Sequence, residues 1–226
     1  MKVGLITYNY PHLKTEQVVT GLMNREDGTN YVMYALPFKP RKSRSEIIKH
    51  RPYQFGGMHT KKLSERYSIP YFKCEKDTDI NSKCDYYLIL GASLLSVECV
   101  RDKKIINCHS GIIPNSRGLD SFKWCIYYDR ILGVTLHKID ENIDSGEILA
   151  IVKTHRNTSD TIYTLIERHY QNEIKTLVNH FEYMAGCYWK EILELEKNEP
   201  TMRMSKTIER ETLKRFNYAK RKVSNS

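Results

Sequence analysis

The chain has 226 residues, 40% of them apolar, and a formal net charge of +9 at neutral pH. This length suits one domain with a small extension, and the composition excludes disordered, collagenous and repetitive proteins. No apolar run approaches the ~18 residues of a membrane span, and Val3–Thr7 is too short for a signal-peptide core. We therefore expect a cytoplasmic protein with no membrane partner.

The six cysteines are scattered along the chain without a C-x-x-C pair. Zinc sites and disulfide frameworks need clustered spacings. The sequence therefore predicts free thiols and no bound metal.

Positive charge is concentrated in two segments of the chain. Residues 39–66 have a net charge of +7 and residues 200–226 a net charge of +6, so the remainder is slightly acidic. Basic segments of this kind bind nucleic acid, bind phosphorylated small substrates or form solvated faces. Charge alone does not distinguish these roles.

Strand and helix patterns alternate along the chain, as is typical of α/β proteins. Apolar runs of strand formers predict strands at Val3–Thr7, Tyr31–Leu36, Ile69–Phe72, Asp85–Leu90, Lys104–His109, Ile131–Asp140 and Glu147–Thr154. Helical periodicity predicts helices at Lys14–Arg25, Glu46–Lys49, Thr60–Tyr67, Ala92–Val100, Leu119–Tyr128, Ser159–Met184 and Ala185–Lys197. We predict an α/β fold with a mostly parallel, twisted sheet and helices on both faces. Residues 1–198 would form the main domain, and residues 199–226 a basic C-terminal tail or small extension.

Ligands of open α/β sheets bind at the carboxyl ends of strands. Four such ends carry polar residues or glycine, at residues 9–12, 91, 107–109 and 140–144. The phosphate-loop, dinucleotide-binding and nucleophile-elbow patterns are absent from the sequence. Their absence argues against ATP hydrolysis, NAD chemistry and an α/β-hydrolase.

Asn107 and His109 end a predicted strand and share one side of it, because side chains alternate along a strand. Both can donate hydrogen bonds to a developing oxyanion, and histidine also moves protons near neutral pH. Asp144 lies in an acidic turn, and a carboxylate beside an imidazole keeps the ring oriented. Each feature alone is more often structural, but together they predict an acid–base site.

Residues 85–150 contain a series of motifs: Leu88–Leu95, Asn107-x-His109, Pro114, Arg117-Gly118 and His137-x-x-Asp140-x-x-x-Asp144. In combination they resemble the formyltransferase family, whose members use 10-formyltetrahydrofolate. The family includes glycinamide ribonucleotide transformylase, methionyl-tRNA formyltransferase and the N-formyltransferases of nucleotide-linked amino sugars. The resemblance implies a Rossmann-like formyltransferase fold and a folate-dependent N-formyltransferase.

The resemblance also implies roles for individual residues. Asn107 and His109 would stabilise a tetrahedral oxyanion, while Asp144 would orient His109 and order a water for proton transfer. Segments that match the family's folate pocket would hold the co-substrate 10-formyltetrahydrofolate, largely through backbone groups. They contain Leu88, Leu90, Gly91, Leu95, Ile139, Asp140 and Ile143. Ser110 is a departure, since several relatives have Pro or Ala after the catalytic histidine.

The acceptor is predicted by elimination among the family's members. The tRNA-modifying enzyme carries an additional C-terminal β-barrel, whereas the pattern after Thr154 is mostly helical. The purine-pathway enzyme has a Gly-rich phosphate loop after its first strand, and this chain has no glycine there. We therefore predict a nucleotide-linked (UDP or dTDP) amino sugar. Its predicted substrate-binding residues are Asn9, Tyr10, His12, Lys14 and Arg117, for which an ordinary surface turn is the alternative.

Other readings remain open at this point. Phosphoribosylglycinamide and methionyl-tRNA are the alternative acceptors. A catalytically idle RNA-binding or assembly module is the alternative from another class, disfavoured because Asn107, His109 and Asp144 are all present. Tyr188 and Trp189, in a predicted C-terminal helix, are a candidate homodimer interface.

Overall fold

The computed structural model describes residues 1–40, 45–81, 83–141, 144, 146–186 and 195–224. Seven strands form one sheet in the order β3-β2-β1-β4-β5-β6-β7. The strands are β1 Lys2–Tyr8, β2 Asn30–Leu36, β3 Tyr71–Lys73, β4 Tyr86–Ile89, β5 Ile105–His109, β6 Gly133–Lys138 and β7 Ile148–Lys153. Strands β1 to β5 pair in parallel, whereas β6 is antiparallel to both β5 and β7. The predicted α/β fold with a mostly parallel sheet is confirmed.

The helices cover both faces of the sheet. They are α1 Leu13–Met23, α2 Thr60–Arg66, α3 Val97–Arg101, α4 Ser121–Tyr127, α5 Ile162–Val178, α6 His180–Ala185 and α7 Lys206–Ser224. Within the described ranges, no helix is both long and apolar enough to cross a membrane.

The two faces of β1 show how the strand pattern builds the core. Val3 and Leu5 face the side on which α1 and α5 pack, and Ile6 faces the side on which α3 packs. Gly4 leaves room for the ring of Tyr87, because a Cβ at Gly4 would lie 2.2 Å from Tyr87 Cδ1. Both faces are apolar because both are covered, which is the usual condition of a parallel sheet.

Three predicted helices differ from the structure. Residues 46–49 are not helical; so short a segment gains too few hydrogen bonds to offset nucleation, and Ile47 N donates instead to Glu209 Oε2. The helix predicted from residue 92 begins only at Val97, where the Ser96 hydroxyl caps it by accepting from Cys99 N. The helix predicted over residues 159–184 is broken at Asn179 into α5 and α6.

The predicted helix over residues 185–197 falls largely on residues outside the described ranges. Cys187, Tyr188 and Trp189 are among them, and the described residues 195–198 are not helical. The candidate homodimer interface therefore stays a prediction.

The C-terminal segment contains α7, which packs against α4. Phe216 of α7 joins an apolar cluster with Phe122 and Ile126 of α4. At the same interface Lys123 is fully buried, with its Nζ 2.7 Å from Glu209 Oε1. The division of the chain at residue 198 stays a prediction, but residues 204–216 contribute buried side chains to the structure.

Candidate functional site

The imidazole of His109 lies at the carboxyl end of β5, where the following loop folds back over it. Its Nε2 is 2.9 Å from the backbone oxygen of Ser116 and 3.1 Å from Ser121 Oγ. The Ser121 hydroxyl donates to the oxygen of Gly118, so it accepts at His109. Two acceptors at Nε2 assign the proton of the neutral imidazole to that nitrogen. The Nδ1 atom is then free to accept a proton.

Asp144 faces the other ring nitrogen of His109. Its Oδ2 is 3.4 Å from His109 Nδ1 and accepts a hydrogen bond of 2.9 Å from Gly118 N. Arg117 Nε donates to the backbone oxygen of Asp144 at 2.9 Å, and Asp144 has a left-handed backbone with φ of 45°. The carboxylate is therefore held beside the nitrogen that gains a proton when His109 becomes charged.

Asn107 lies two residues before His109 on β5 and pairs with His137 on the antiparallel β6. Its Nδ2 is 3.3 Å from His137 Nε2, which in turn is 3.8 Å from Asp144 Oδ1. Burial, followed by the neighbouring His109, lowers the pKa of His137 to about 4. A neutral His137 with Nε2 as acceptor orients the Asn107 amide and leaves its second N–H available.

His137 is a site residue that the sequence patterns did not single out. It appears in the motif that carries the family resemblance, but without an assigned role. β6 is the next strand after β5 along the chain and lies beside it in the sheet, although α4 lies between them, and the pairing of the two strands places His137 opposite Asn107. The sequence does not show the antiparallel register of β5 and β6, which is needed to pair His137 with Asn107.

Arg117 was predicted to bind substrate, but the structure places it elsewhere. The side chain is buried, and its guanidinium contacts the backbone oxygens of Asp144 and Asn198, at 2.9 and 3.5 Å. These contacts support the turn that carries Asp144. Arg117 is thus a structural support of the site and not an exposed ligand for an acceptor.

The residues predicted to hold the folate differ in their placement. Leu88 lies in the middle of β4, between β1 and β5, and its side chain is in the core. Leu90 is also buried, and its backbone N–H donates a hydrogen bond to the backbone oxygen of Ile6. The side chains of these two residues are therefore in the interior, and their contact with the folate stays a prediction.

The remaining folate residues lie nearer the surface. Leu95 and Ile139 pack against the same core cluster, which brings their two segments together. Asp140 is exposed, and with Ile139 it borders a groove of about 480 Å³ that runs between residues 100–104 and 138–141. Ile143 lies outside the described residues.

Gly91 and His12 bring the carboxyl ends of β4 and β1 together. A Cβ at Gly91 would lie 2.7 Å from His12 Cε1, so only glycine allows this approach. His12 Nδ1 is 2.8 Å from Thr15 Oγ1. Burial, with the positive charges of Lys14 and Arg51, lowers the pKa of His12 to about 4. His12 is therefore a neutral group at the edge of the sheet.

Lys14 was predicted to contact a phosphate, but its charge is already paired inside the protein. Its Nζ lies 2.5 Å from Glu173 Oε1, and both side chains are buried. Burial alone would raise the pKa of Glu173, but Arg51 and Lys14 outweigh it and hold the pKa at about 2. This placement argues against a direct phosphate contact by Lys14.

Arg51 is the more open cation of this cluster. Its Nη2 lies 2.9 Å from Glu173 Oε2, while its side chain is 35% exposed. Within the described part of the chain, the buried Arg51 Nε has no hydrogen-bond partner. Two cations share one carboxylate here, so a positive charge remains close to the ends of β1 and β4.

Four aromatic side chains, which we call the aromatic platform, adjoin this positive charge. They follow the carboxyl ends of β1 and β2 or the Arg51 segment: Tyr10, Phe38, Tyr53 and Phe55. Phe38 is central, with its ring centroid 4.6 Å from that of Tyr10 and 4.7 Å from that of Phe55. Tyr53 is 76%, Tyr10 41% and Phe55 36% exposed. Asn9 precedes Tyr10 of the platform in the chain and accepts from Tyr71 Oη at 2.7 Å.

Metal-ligating side chains do not cluster in the part of the chain that the structure describes. No group of three His, Cys, Asp or Glu side chains there is arranged to hold a metal ion. The five cysteines in those ranges are free thiols.

Comparison with known proteins finds one family whose sequence model matches a range of the chain that includes this site. The sequence model of the family described as formyl transferase matches residues 57–181, which is more than half of the chain. The matched range contains Asn107, His109 and Asp144. It begins after the aromatic platform and ends before α7.

The most similar relatives share part of their length with this chain. Methionyl-tRNA formyltransferase of Buchnera aphidicola subsp. Baizongia pistaciae is 30% identical over 141 residues, which are 56% of this chain and 41% of that protein. Across three methionyl-tRNA formyltransferases, the chain spans 37% to 41% of the relative's length.

Two solved structures show the shared fold. The phosphoribosylglycinamide formyltransferase of Campylobacter jejuni subsp. jejuni NCTC 11168 superposes with a TM-score of 0.61 at 14% identity, over 82% of this chain and 98% of that one. The sugar N-formyltransferase of Shewanella sp FDAARGOS_354 superposes with a TM-score of 0.59 at 18% identity, over 95% of this chain and 87% of that one.

Proposed function

This chain belongs to the formyl transferase family, as its motifs predicted, and we propose that it transfers a formyl group from 10-formyltetrahydrofolate to the amine of a nucleotide-linked amino sugar. The observation that carries the reaction is the arrangement of Asn107, His109 and Asp144 around the carboxyl end of β5. These groups meet the needs of acyl transfer, which are a hydrogen-bond donor for an oxyanion and a base for the attacking amine.

The proposed step forms one C–N bond and breaks another. The folate would supply a formyl group on a nitrogen that can leave. The amine nitrogen of the acceptor attacks the formyl carbon, and the free N–H of Asn107 donates to the oxygen that gains charge. The proton lost by the amine passes to the His109–Asp144 pair and then to the departing folate nitrogen. Asp144 stabilises the imidazolium that exists between these two transfers.

The chemistry of the groove beside β5 fits a folate. Val100 and Ile139 are its apolar lining, and Leu94 is 85% exposed nearby in the sequence. Arg101, Lys103 and Lys104 border the groove and provide cations for the carboxylates of the folate tail. The backbone of residues 139–140 and 144, together with Gly91, would hold the pterin.

The aromatic platform and Arg51 support a nucleotide as the handle of the acceptor. Aromatic rings exposed to water at a strand end are costly unless a ligand covers them, and a nucleobase stacks on such rings. Arg51 lies two residues before Tyr53 of the platform, and its side chain, 35% exposed, carries a positive charge that could pair with a diphosphate.

Kinetics with one preparation of the full chain tests the proposal. The acceptors are UDP- and dTDP-linked amino sugars, phosphoribosylglycinamide and charged methionyl-tRNA, each with 10-formyltetrahydrofolate. We expect turnover with an amino-sugar nucleotide. Tyr10→Ala and Phe55→Ala should each raise the acceptor KM by about tenfold, since stacking on a base is worth ~1–3 kcal/mol, with the folate KM unchanged. Tyr163→Ala is the matched control, because Tyr163 is 75% exposed and lies on α5.

The outcomes separate the acceptor from the reaction. Formylation of charged tRNA or phosphoribosylglycinamide alone would overturn the acceptor but not the reaction. No formyl transfer to any amine, together with RNA binding that weakens steeply with salt, would favour the RNA-binding module instead.

A further inference from the structure

A segment outside the family match is bound to the loop that holds the catalytic pair. We define the C-terminal strap as Asn198–Met204. It lies between the end of the matched range, at residue 181, and the start of α7, at Lys206. The strap lies along residues 114–120, the loop that covers His109. The two segments are far apart in sequence, so their contact is a feature of the fold and not of a local turn.

Thr201 is the centre of this contact. Its backbone N–H donates to Arg117 O at 2.9 Å, and its backbone oxygen accepts from Leu119 N at 2.8 Å. The Thr201 hydroxyl lies 2.9 Å from Arg117 O and 2.8 Å from Leu119 O. The result is a parallel β-bridge between Gly118 and Thr201.

The other side of the same loop residues holds Asp144. Gly118 N donates to Asp144 Oδ2, the oxygen that faces His109 Nδ1, and Arg117 Nε donates to Asp144 O. Thr201 is therefore hydrogen-bonded to the backbone of residues 117 and 119. Arg117 and Gly118 in turn donate hydrogen bonds to Asp144. Gly118 permits the approach with φ of 85°, because a Cβ there would lie 2.4 Å from Thr201 O.

Buried contacts fix both ends of the strap. Asn198 Nδ2 donates to Asn115 O at 2.9 Å, and Met204 N donates to Asp120 Oδ2 at 3.0 Å. Met204 is fully buried, and the same Asp120 carboxylate lies 3.3 Å from Lys123 Nζ. Lys123 is also paired with Glu209 of α7, so the strap is continuous with a buried ionic cluster.

We propose that Thr201 is a positioning residue for Asp144, acting through the backbone of Arg117 to Leu119. The strap is then part of the catalytic apparatus supplied by the C-terminal segment, although Thr201 touches neither His109 nor a reacting atom. The inference rests on the proposed function in one respect, because Asp144 matters for catalysis only if the His109–Asp144 pair moves the proton.

Conservative changes at Thr201 test this role. Thr201→Val keeps the shape and removes the hydroxyl, so Leu119 O loses its side-chain donor. We expect kcat to fall by up to about tenfold, the scale of one lost hydrogen bond, with both KM values unchanged. Thr201→Ser keeps the hydroxyl and should restore kcat. Met202→Ala is the control on the same strap, since the Met202 side chain is 75% exposed.

A second readout does not depend on the acceptor. The NMR chemical shifts of the His109 imidazole nitrogens at a fixed pH should change in Thr201→Val and return in Thr201→Ser, because Asp144 Oδ2 has moved relative to Nδ1. Thermal unfolding of each variant shows that it is folded. A wild-type kcat and unchanged His109 chemical shifts in Thr201→Val would overturn the inference. Changed chemical shifts in a chain that formylates no amine would leave the inference standing and overturn the proposed function.

Discussion

The carboxyl ends of β5 and of β1 and β2 lie on one edge of the sheet but are built differently. Around His109 and Asp144 the polar atoms are held by backbone groups of a loop that is itself bound to the strap. At the ends of β1 and β2, aromatic rings and Arg51 are partly exposed. The family match begins at residue 57, so it includes the first region and leaves out the second. The enclosed region suits chemistry common to a family, and the open region suits the choice of acceptor.

The largest expected effect comes from the enclosed region. Asn107→Ala, His109→Ala and Asp144→Ala should each lower kcat by about 10²- to 10³-fold, the scale of removing an oxyanion donor or acid–base group. The acceptor KM should change little, because the proposed nucleotide-binding residues lie in the other region. Steady-state kinetics with a saturating folate donor measures this. Near-normal turnover by His109→Ala would rule out the proposed mechanism.

A smaller effect is expected from Lys14 and Arg51, the two cations that pair with Glu173: they should differ in their contributions to stability and to acceptor binding. Lys14→Met should lower the free energy of unfolding by about 3 kcal/mol, because it removes one partner of a buried ion pair. Arg51→Met should cost less stability, since its side chain is 35% exposed, and should instead raise the acceptor KM. Urea unfolding and acceptor kinetics of both variants give the comparison.

The double variant Lys14→Met with Glu173→Gln is the control for this pair. It removes both members of the buried pair but also takes the carboxylate partner from the part-exposed Arg51, so it should lose less stability than the sum of the losses in Lys14→Met and Glu173→Gln. If Lys14→Met were as stable as the wild type and raised the acceptor KM, the phosphate contact predicted from the sequence would be correct after all.

The next prediction concerns His137, which orients Asn107 without contacting the reacting atoms in the proposed mechanism. His137→Leu should lower kcat about tenfold, because the Asn107 amide loses the acceptor that orients it. His137→Gln can present an oxygen to the same amide and should retain more activity. Both acceptor and folate KM should stay close to the wild-type values. A kcat in His137→Leu equal to that of the wild type would show that Asn107 is oriented by other groups.

The sequence predicted the site best where the signal was local. Asn107 and His109 are two residues apart on one strand, and the structure brings Asp144 to His109 as the family resemblance implied. The partners of Arg117 and Lys14 could not be predicted, because Asp144 O and Glu173 meet them only through the tertiary fold. The short helix expected at residues 46–49 was wrong for a similar reason, since a distant carboxylate on α7 binds that backbone.

The contact of Thr201 with Gly118 was the hardest to predict from the sequence. It joins an unremarkable threonine in a basic segment to a glycine in a loop. Nothing in the composition of residues 199–226 indicates such a role, so the segment was interpreted as a tail or extension. The pattern of a sequence shows which faces are buried, but it does not show which backbone a distant loop will pair with.

The smallest expected effect concerns acid stability and should be the same in both regions. His12 in the open region and His137 in the enclosed one are both buried, and burial is the main cause that lowers the pKa of each to about 4. An unfolded histidine titrates near pH 6.5, so between pH ~6.5 and ~4 the unfolded chain binds more protons than the folded one. Stability from these groups is therefore complete above pH ~6.5 and is lost as the pH falls through that window.

Each buried histidine contributes a slope of up to ~1.4 kcal/mol per pH unit within the window. His12→Gln and His137→Gln should each make the fall in unfolding free energy between about pH 6 and pH 5 less steep, by about 1 kcal/mol. Urea unfolding across this range measures the slopes, and His155→Gln is the control because His155 is exposed. Equal slopes for His12→Gln and the wild type, with a reduced slope for His137→Gln, would show that the end of β1 admits water. The open region would then be hydrated down to the imidazole beneath the platform, which is the condition expected of a site that a charged nucleotide must enter.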